Sequence, residues 1–235
     1  MKLKNYINGQ WIEGSGNEVP LYNAVNGELV AISDTGGINF EQALDYGRTV
    51  GYKNLSSMTF YDRGEMLKKV VLYLLERKKK YYDLSYKTGA THADSWVDIE
   101  GGFGTFFTYS GLAKRMLPNT PFWVDGDTQK LGANGTFLGT HILTPSEGVS
   151  VQINAYNFPV WGMLEKLSTS LLAGVVLDQC SVSGPDRKWF SSRRSHSTGL
   201  RGTRKYSRLR AGWRFCSFYR LCHHRKEIKI FAVRF

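Results

Sequence analysis

The charge of this chain changes abruptly near residue 175, and that break most constrains how the chain can be organised. Residues 1–175 hold 16 Lys and Arg against 17 Asp and Glu, a net of −1, whereas residues 176–235 hold 15 against 3, a net of +12. All three cysteines (Cys180, Cys216, Cys222) and 11 of the 15 arginines fall in the second part. The overall charge of +11 therefore describes no single folded object. The expected organisation is a body, residues 1–175, followed by a basic tail, residues 176–235. The body is long enough to bury a sizeable core. Its lack of cysteine suits a reducing compartment, and the cytoplasm is the expected location. Met1 to Ile12 is polar throughout, unlike a secretory signal. No apolar run approaches the roughly 20 residues of a membrane span, so no membrane partner is expected.

Within the body, turn chemistry and periodicity predict the local elements. Asn8-Gly9 joins two short extended runs in Lys4 to Ile12, a hairpin signal because both residues tolerate positive φ. A further extended stretch, Tyr22 to Ile32, surrounds Asn26-Gly27. Asn39 is the expected N-cap of a helix carrying Phe40, Ala43 and Leu44 and ending near Gly47 to Gly51. From about Thr59 to Arg77, Met66, Leu67, Val70, Val71, Leu74 and Leu75 recur with helical spacing and mark one apolar face. Lys78-Lys79-Lys80 then reads as a solvated helix end, with another turn or two reaching Thr88 and a Gly89 cap. Asp94 to Leu117 is helical in character and stops at Pro118. Its cluster Gly101-Gly102-Phe103-Gly104 neither follows a strand nor opens a capped helix, so it predicts close helix packing rather than a phosphate loop. Thr136 to Leu143 and Val149 to Ile153 read as strands.

Phe158 to Leu172 reads as a helix with Pro159 near its first position, where the missing N–H costs nothing, and with Gly174 at its end. A strand feeding such a helix through a tight loop opens many nucleotide-binding α/β sheets, and free N–H groups there favour anions. The residues alone leave Asn157 two roles: N-cap of the helix, or hydrogen-bond donor to a ligand.

The string Asn157-Phe158-Pro159 after a strand resembles the aldehyde dehydrogenase superfamily. Lys87 to Tyr109 and Ile153 to Leu167 resemble one branch of it, the CoA-linked semialdehyde dehydrogenases of phenylacetate catabolism, which are fused to an oxepin-CoA hydrolase. The resemblance covers about residues 1–175. It implies oxidation of an aldehyde substrate to a carboxylate with NAD or NADP by a homo-oligomeric enzyme. Asn157 matches the family's oxyanion donor, a group whose loss typically costs ~3 kcal/mol of transition-state stabilisation. Asn154, Ala155 and Tyr156 match positions whose backbone lines the nicotinamide side of the cofactor cleft. The fold it implies is α/β: a truncated aldehyde dehydrogenase, with an N-terminal hairpin, helices, and the first strand–helix unit of a Rossmann-like NAD(P)-binding domain.

Past Val175 the family pattern stops. Val176 to Ser183 has neither the lysine nor the proline that the family places there for the cofactor's ribose. The pyrophosphate turn, the general-base Glu and the nucleophilic Cys in its family context are absent too, so the chain lacks the cofactor's main anchors and its own activity is expected to be nil. Read one base out of frame, the last bases of an Arg187 codon followed by permitted codons for Lys188 to Ser192 spell ESGLVP. Those for Arg204 to Lys229 spell a string containing FTGSAITG, the missing turn in its expected order. The tail is thus expected to be out-of-frame coding and largely disordered. The rival class is a nucleic-acid binder acting through the Arg- and Ser-rich segment Ser191 to Arg210, a composition that any arginine-rich random translation shares. Cys216, Cys222, His223 and His224 lack zinc-ligand spacing, and no metal is expected.

Overall fold

The computed structural model describes residues 1–16, 18–152, 154 and 157–179. The disorder, frame and nucleic-acid expectations for the tail concern residues that, from 180 onward, lie outside the described ones.

Two hairpins open the chain. In the first, β1 (Lys4–Ile7) pairs antiparallel with β2 (Gln10–Glu13) across Asn8 and Gly9, at φ 51° and 83°. In the second, β3 (Val19–Tyr22) pairs antiparallel with β4 (Leu29–Ser33), and Gly27 has φ 75° in the connecting turn. The two are tied by Leu3 N donating to Ile32 O at 2.8 Å and by the buried Asn5 side chain donating to Asp34 O at 2.8 Å. Asp34 anchors the junction. Its carboxylate accepts from Gly36 N at 2.8 Å and Gly16 N at 3.0 Å, with Lys2 Nζ at 3.5 Å.

Those backbone donors hold the Asp34 carboxyl below its ordinary range, with Lys2 adding to the effect against the cost of burial. An acid whose folded pKa is depressed stabilises the fold above its unfolded value. That contribution drains away as pH falls through the folded value. Asp34→Asn should therefore flatten the acid limb of stability against pH while leaving its neutral slope unchanged. Thermal melts from neutral pH downward read this out, and an unchanged acid limb contradicts it.

Helix α1 (Phe40–Tyr46) starts where expected, the Asn39 side chain accepting from Gln42 N. It ends beside Gly47, as expected, but the backbone stays helical beyond it. Residues Gly47–Gly51 form a π-helical turn that runs on into α2 (Tyr52–Ser56). The two glycines are needed for proximity: a Cβ at Gly47 would lie 2.7 Å from Val149, and one at Gly51 would lie 3.1 Å from Val176. The insertion thus lets a helix backbone rest against two valines of a sheet.

Helix α3 (Phe60–Glu76) begins with a reciprocal capping box between Thr59 and Asp62. The lysine run then opens a separate helix, α4 (Lys78–Lys87), with Lys78 paired to Glu100 at 2.9 Å and Gly89 at φ 85° beyond its end. Helix α5 (His92–Met116) is the longest, 25 residues, and starts two residues before Asp94 because Thr91 and Asp94 form a second capping box. The strand β5 (Trp123–Lys130), which its Asp and Gly content conceals in the sequence, pairs antiparallel with β6 (Leu138–Leu143) in a mostly exposed ribbon. Then come β7 (Val149–Gln152), α6 (Pro159–Leu172) and β8 (Val176–Gln179), with β8 parallel to β7. Regular pairing therefore runs four residues past the charge step and supplies a second parallel strand.

The core lies where α3, α5 and α6 meet. Leu67, Val71, Ile99, Phe106 and Ala113 are fully buried, and Leu164 is nearly so. Among the described residues no helix is long and apolar enough to cross a membrane.

Candidate active site

Val149 and Val151 make β7 a strand suited to burial, and Pro159 at the first helical position starts α6. Asn157 lies in a turn two residues before α6. The N-cap position belongs to Phe158 (φ −133°, ψ 65°), which offers no side-chain cap bond. The capping role open to Asn157 on sequence grounds is therefore not the one it has. Its side chain is exposed and makes no hydrogen bond among the described residues.

The cap comes from another helix. Asp98 of α5 is buried, and its carboxylate accepts from Trp161 N at 2.8 Å and from Val160 N at 3.2 Å. Burial holds this carboxyl above its ordinary range, against the pull of the two amides. This overturns the expectation that free N–H groups at the start of α6 would bind an anion. Pro159 has no N–H, the next two amides are taken by Asp98, and Gly162 N donates to Phe158 O at 3.2 Å. No cradle for a phosphate remains there.

The glycine cluster of α5 explains how the helices come this close. A Cβ on Gly101 would sit 2.7 Å from the Trp161 ring, and one on Gly102 would be 3.0 Å from Leu164. Close packing thus holds for these two, whereas Gly104 faces open space.

Asn154 is half-buried. Its Oδ1 accepts from Lys166 Nζ at 2.9 Å, and that ammonium also donates to Gly162 O at 3.2 Å. The side-chain carbonyl oxygen of Asn154 is thus committed to α6. Behind it, buried Gln152 donates to Lys166 O and Ser170 Oγ at 3.2 and 3.1 Å, while its Oε1 has no partner among the described residues. Ala155 and Tyr156, the other two positions matched to the cofactor cleft, lie outside the described residues, as do the three cysteines. The structure thus joins Asn154 to Lys166 and Asp98 to the first turn of α6, and places Asn157 two residues ahead of that helix. Of these, Asp98 and Lys166 were not singled out by motif. A sequence signal for Asp98 does exist, because it falls on the same helical stripe as Ser95, Gly102 and Phe106, where a carboxylate must find donors.

The arrangement presents one exposed amide donor beside a rigid, internally satisfied helix start. Such a donor can meet a developing oxyanion without first breaking another hydrogen bond.

The pattern of the aldehyde dehydrogenase family matches residues 11–178. A 3,4-dehydroadipyl-CoA semialdehyde dehydrogenase of Aromatoleum evansii is 37% identical over 176 residues, 74% of this chain and 34% of that protein. A D-glyceraldehyde dehydrogenase (NADP(+)) of Picrophilus torridus is 24% identical, covering 80% of this chain and 37% of its own length. Among solved structures, a 3,6-anhydro-L-galactose dehydrogenase superposes with a TM-score of 0.65 at 22% identity, over 78% of this chain and 37% of that one. The chain thus spans about a third of the length of the curated relatives it matches. On the family pattern and the shared fold together, the chain belongs to the aldehyde dehydrogenase family.

Proposed function

We propose that this chain carries the opening portion of an NAD(P)-dependent dehydrogenase for a CoA-linked semialdehyde of aromatic, specifically phenylacetate, catabolism, and that Asn157 is its oxyanion donor. The supporting observation is the exposed Asn157 amide, released from capping because Asp98 takes that role. The likeness to the Aromatoleum semialdehyde dehydrogenase supports the substrate class.

In the chemistry the family implies, a cysteine thiolate attacks the aldehyde carbon and an alkoxide forms. Asn157 donates an N–H to that oxygen, and a glutamate activates water for deacylation. NAD(P), when bound, accepts the hydride. The described residues supply little to hold it: of the three cleft positions only Asn154 is among them, and the family's pyrophosphate turn is missing from the sequence. The family's homo-oligomeric assembly is proposed for the intact enzyme only.

The body, residues 1–175 extended by β8, is read as genuine dehydrogenase sequence, and the basic remainder as out-of-frame coding. On this reading the 235 residues do not oxidise aldehydes, because the nucleophile and base are missing. Mixing the full chain with a CoA-linked semialdehyde and NADP, then NAD, should give no absorbance from the reduced cofactor. Turnover that disappears in Asn157→Ala overturns the inactivity and upholds the donor role. Sequencing the coding region through the codons for Val175 to Arg187 tests the frame, and an uninterrupted frame contradicts it.

A further inference from the structure

We propose that Asp98 positions Asn157, acting across the interface between α5 and α6 through the first turn of α6. The catalytic meaning of this rests on the reading of Asn157 as oxyanion donor, while its physical content rests on hydrogen-bond geometry alone. A donor is useful only if its direction is held before charge develops. Among the described residues nothing local does this for 157 and 158: the N-cap makes no side-chain bond, and Asn157 is exposed. What fixes the turn comes from α5. The Asp98 carboxylate takes the two amides that follow Pro159, and the Trp161 ring lies against the bare backbone at Gly101. Asn157 stands two residues ahead of Pro159, so a rotation of the first turn carries it along. The reference frame of the donor is therefore the long, doubly capped α5 rather than the short strand β7.

The neighbouring charged groups are engaged elsewhere. Asp94 is held by Thr91, and His92 by Tyr86 and Tyr82. Glu100 is held by Lys78 and Tyr82, and Lys166 of α6 by Asn154. Burial and the two amides are what act on Asp98.

The test uses the full chain labelled with ¹⁵N. In the wild type, an acid titration should move the backbone amide signals of Val160 and Trp161 and the side-chain amide signal of Asn157 with one common midpoint, above the ordinary aspartate range. Asp98→Asn should abolish that shared titration, displace the Asn157 signal, and speed exchange of the two backbone amides about tenfold or more. If Val160 and Trp161 titrate while the Asn157 signal stays in place, Asp98 is a cap and nothing more, and the proposal falls. Should the variant fail to fold, the wild-type titration decides by itself. The two readings separate because the titration needs neither substrate nor cofactor. A shared midpoint upholds the positioning whatever Asn157 does for a substrate, and the donor role is read from the turnover lost on Asn157→Ala in a chain whose reading frame is restored past Val175.

Discussion

Replacing Arg63 with methionine is expected to destabilise this protein by about 3–5 kcal/mol, because one buried and two part-buried carbonyls each lose a donor worth roughly 1–3 kcal/mol. Arg63 lies on α3 and is fully buried. Its guanidinium donates to Met58 O through Nε and Nη2 at 3.1 and 2.9 Å, to Pro121 O at 3.0 Å, and to Leu172 O at 2.7 Å. These carbonyls belong to the turn before α3, the loop after α5 and the C-terminal end of α6. One planar fork thus ties together three segments distant in sequence. The Phe60 ring also sits 4.6 Å from the guanidinium carbon. No carboxylate lies within ion-pair distance among the described residues. Burial accordingly lowers the Arg63 pKa to about 10, which still leaves the group charged at neutral pH. Relief of that burial offsets part of the loss in the methionine variant.

Arg63→Lys discriminates the cause. An ammonium keeps the charge but cannot reach three diverging acceptors with the same geometry. Urea melts followed by tryptophan fluorescence should show the lysine variant losing most of what the methionine variant loses. A lysine variant within about 0.5 kcal/mol of the parent would mean that charge, not shape, is what matters there. Against a total of roughly 5–15 kcal/mol for an ordinary domain, the methionine change is close to the limit of what the fold can absorb.

The second large effect is expected at the crossing of α3 and α5. A Cβ on Gly64 would overlap the Ala113 methyl and come within 3.2 Å of Ser110 O, while Ser110 Oγ donates to Gly64 O at 3.0 Å. The helices touch here backbone to backbone. Gly64→Ala should cost about 1–3 kcal/mol by overpacking, despite alanine being the better helix former. Gly64→Val should cost more. Moving the methyl, in Gly64→Ala with Ala113→Gly, should recover most of the loss. The double-mutant cycle then shows strong favourable coupling between the two sites. Additive losses, with no recovery in the double variant, would mean that Ser110 rather than Ala113 sets the approach.

Both predictions concern residues that local reading passes over. Asn8-Gly9, the Thr59 start of α3, Pro159 and Gly174 were legible because each acts on its own stretch of backbone. Positive φ, a missing N–H or a cap bond three residues away needs no distant partner. The stripe from Met66 to Leu74 was legible for a similar reason, since one-sided burial imposes its period on the sequence. The π-helical turn at Gly47 to Gly51 was read as an end instead. Its glycines answer to Val149 and Val176, about a hundred residues away, and nothing beside them reveals it. The strand β5 was missed because it buries nothing: its residues are all exposed, and pairing with β6 holds it, including a Thr128–Thr140 hydroxyl contact at 2.9 Å.

At the site the division is sharper. The string Asn157-Phe158-Pro159 and its place between a strand and a helix were enough to point to the family and to name Asn157. The sequence left open whether Asn157 caps its helix or faces a ligand, and it invited an anion to the amides that follow. Only the packing of α5 on α6 fills those amides and takes the cap away from Asn157, because their acceptor is a carboxylate 62 and 63 residues away in the chain. Arg63 has the same character, reaching Leu172 O across 109 residues. Periodicity reports which face is buried, and turn residues report where the chain bends. Neither reports which buried donor meets which buried acceptor. That pairing depends on distances between helices, and it exists only once they have packed.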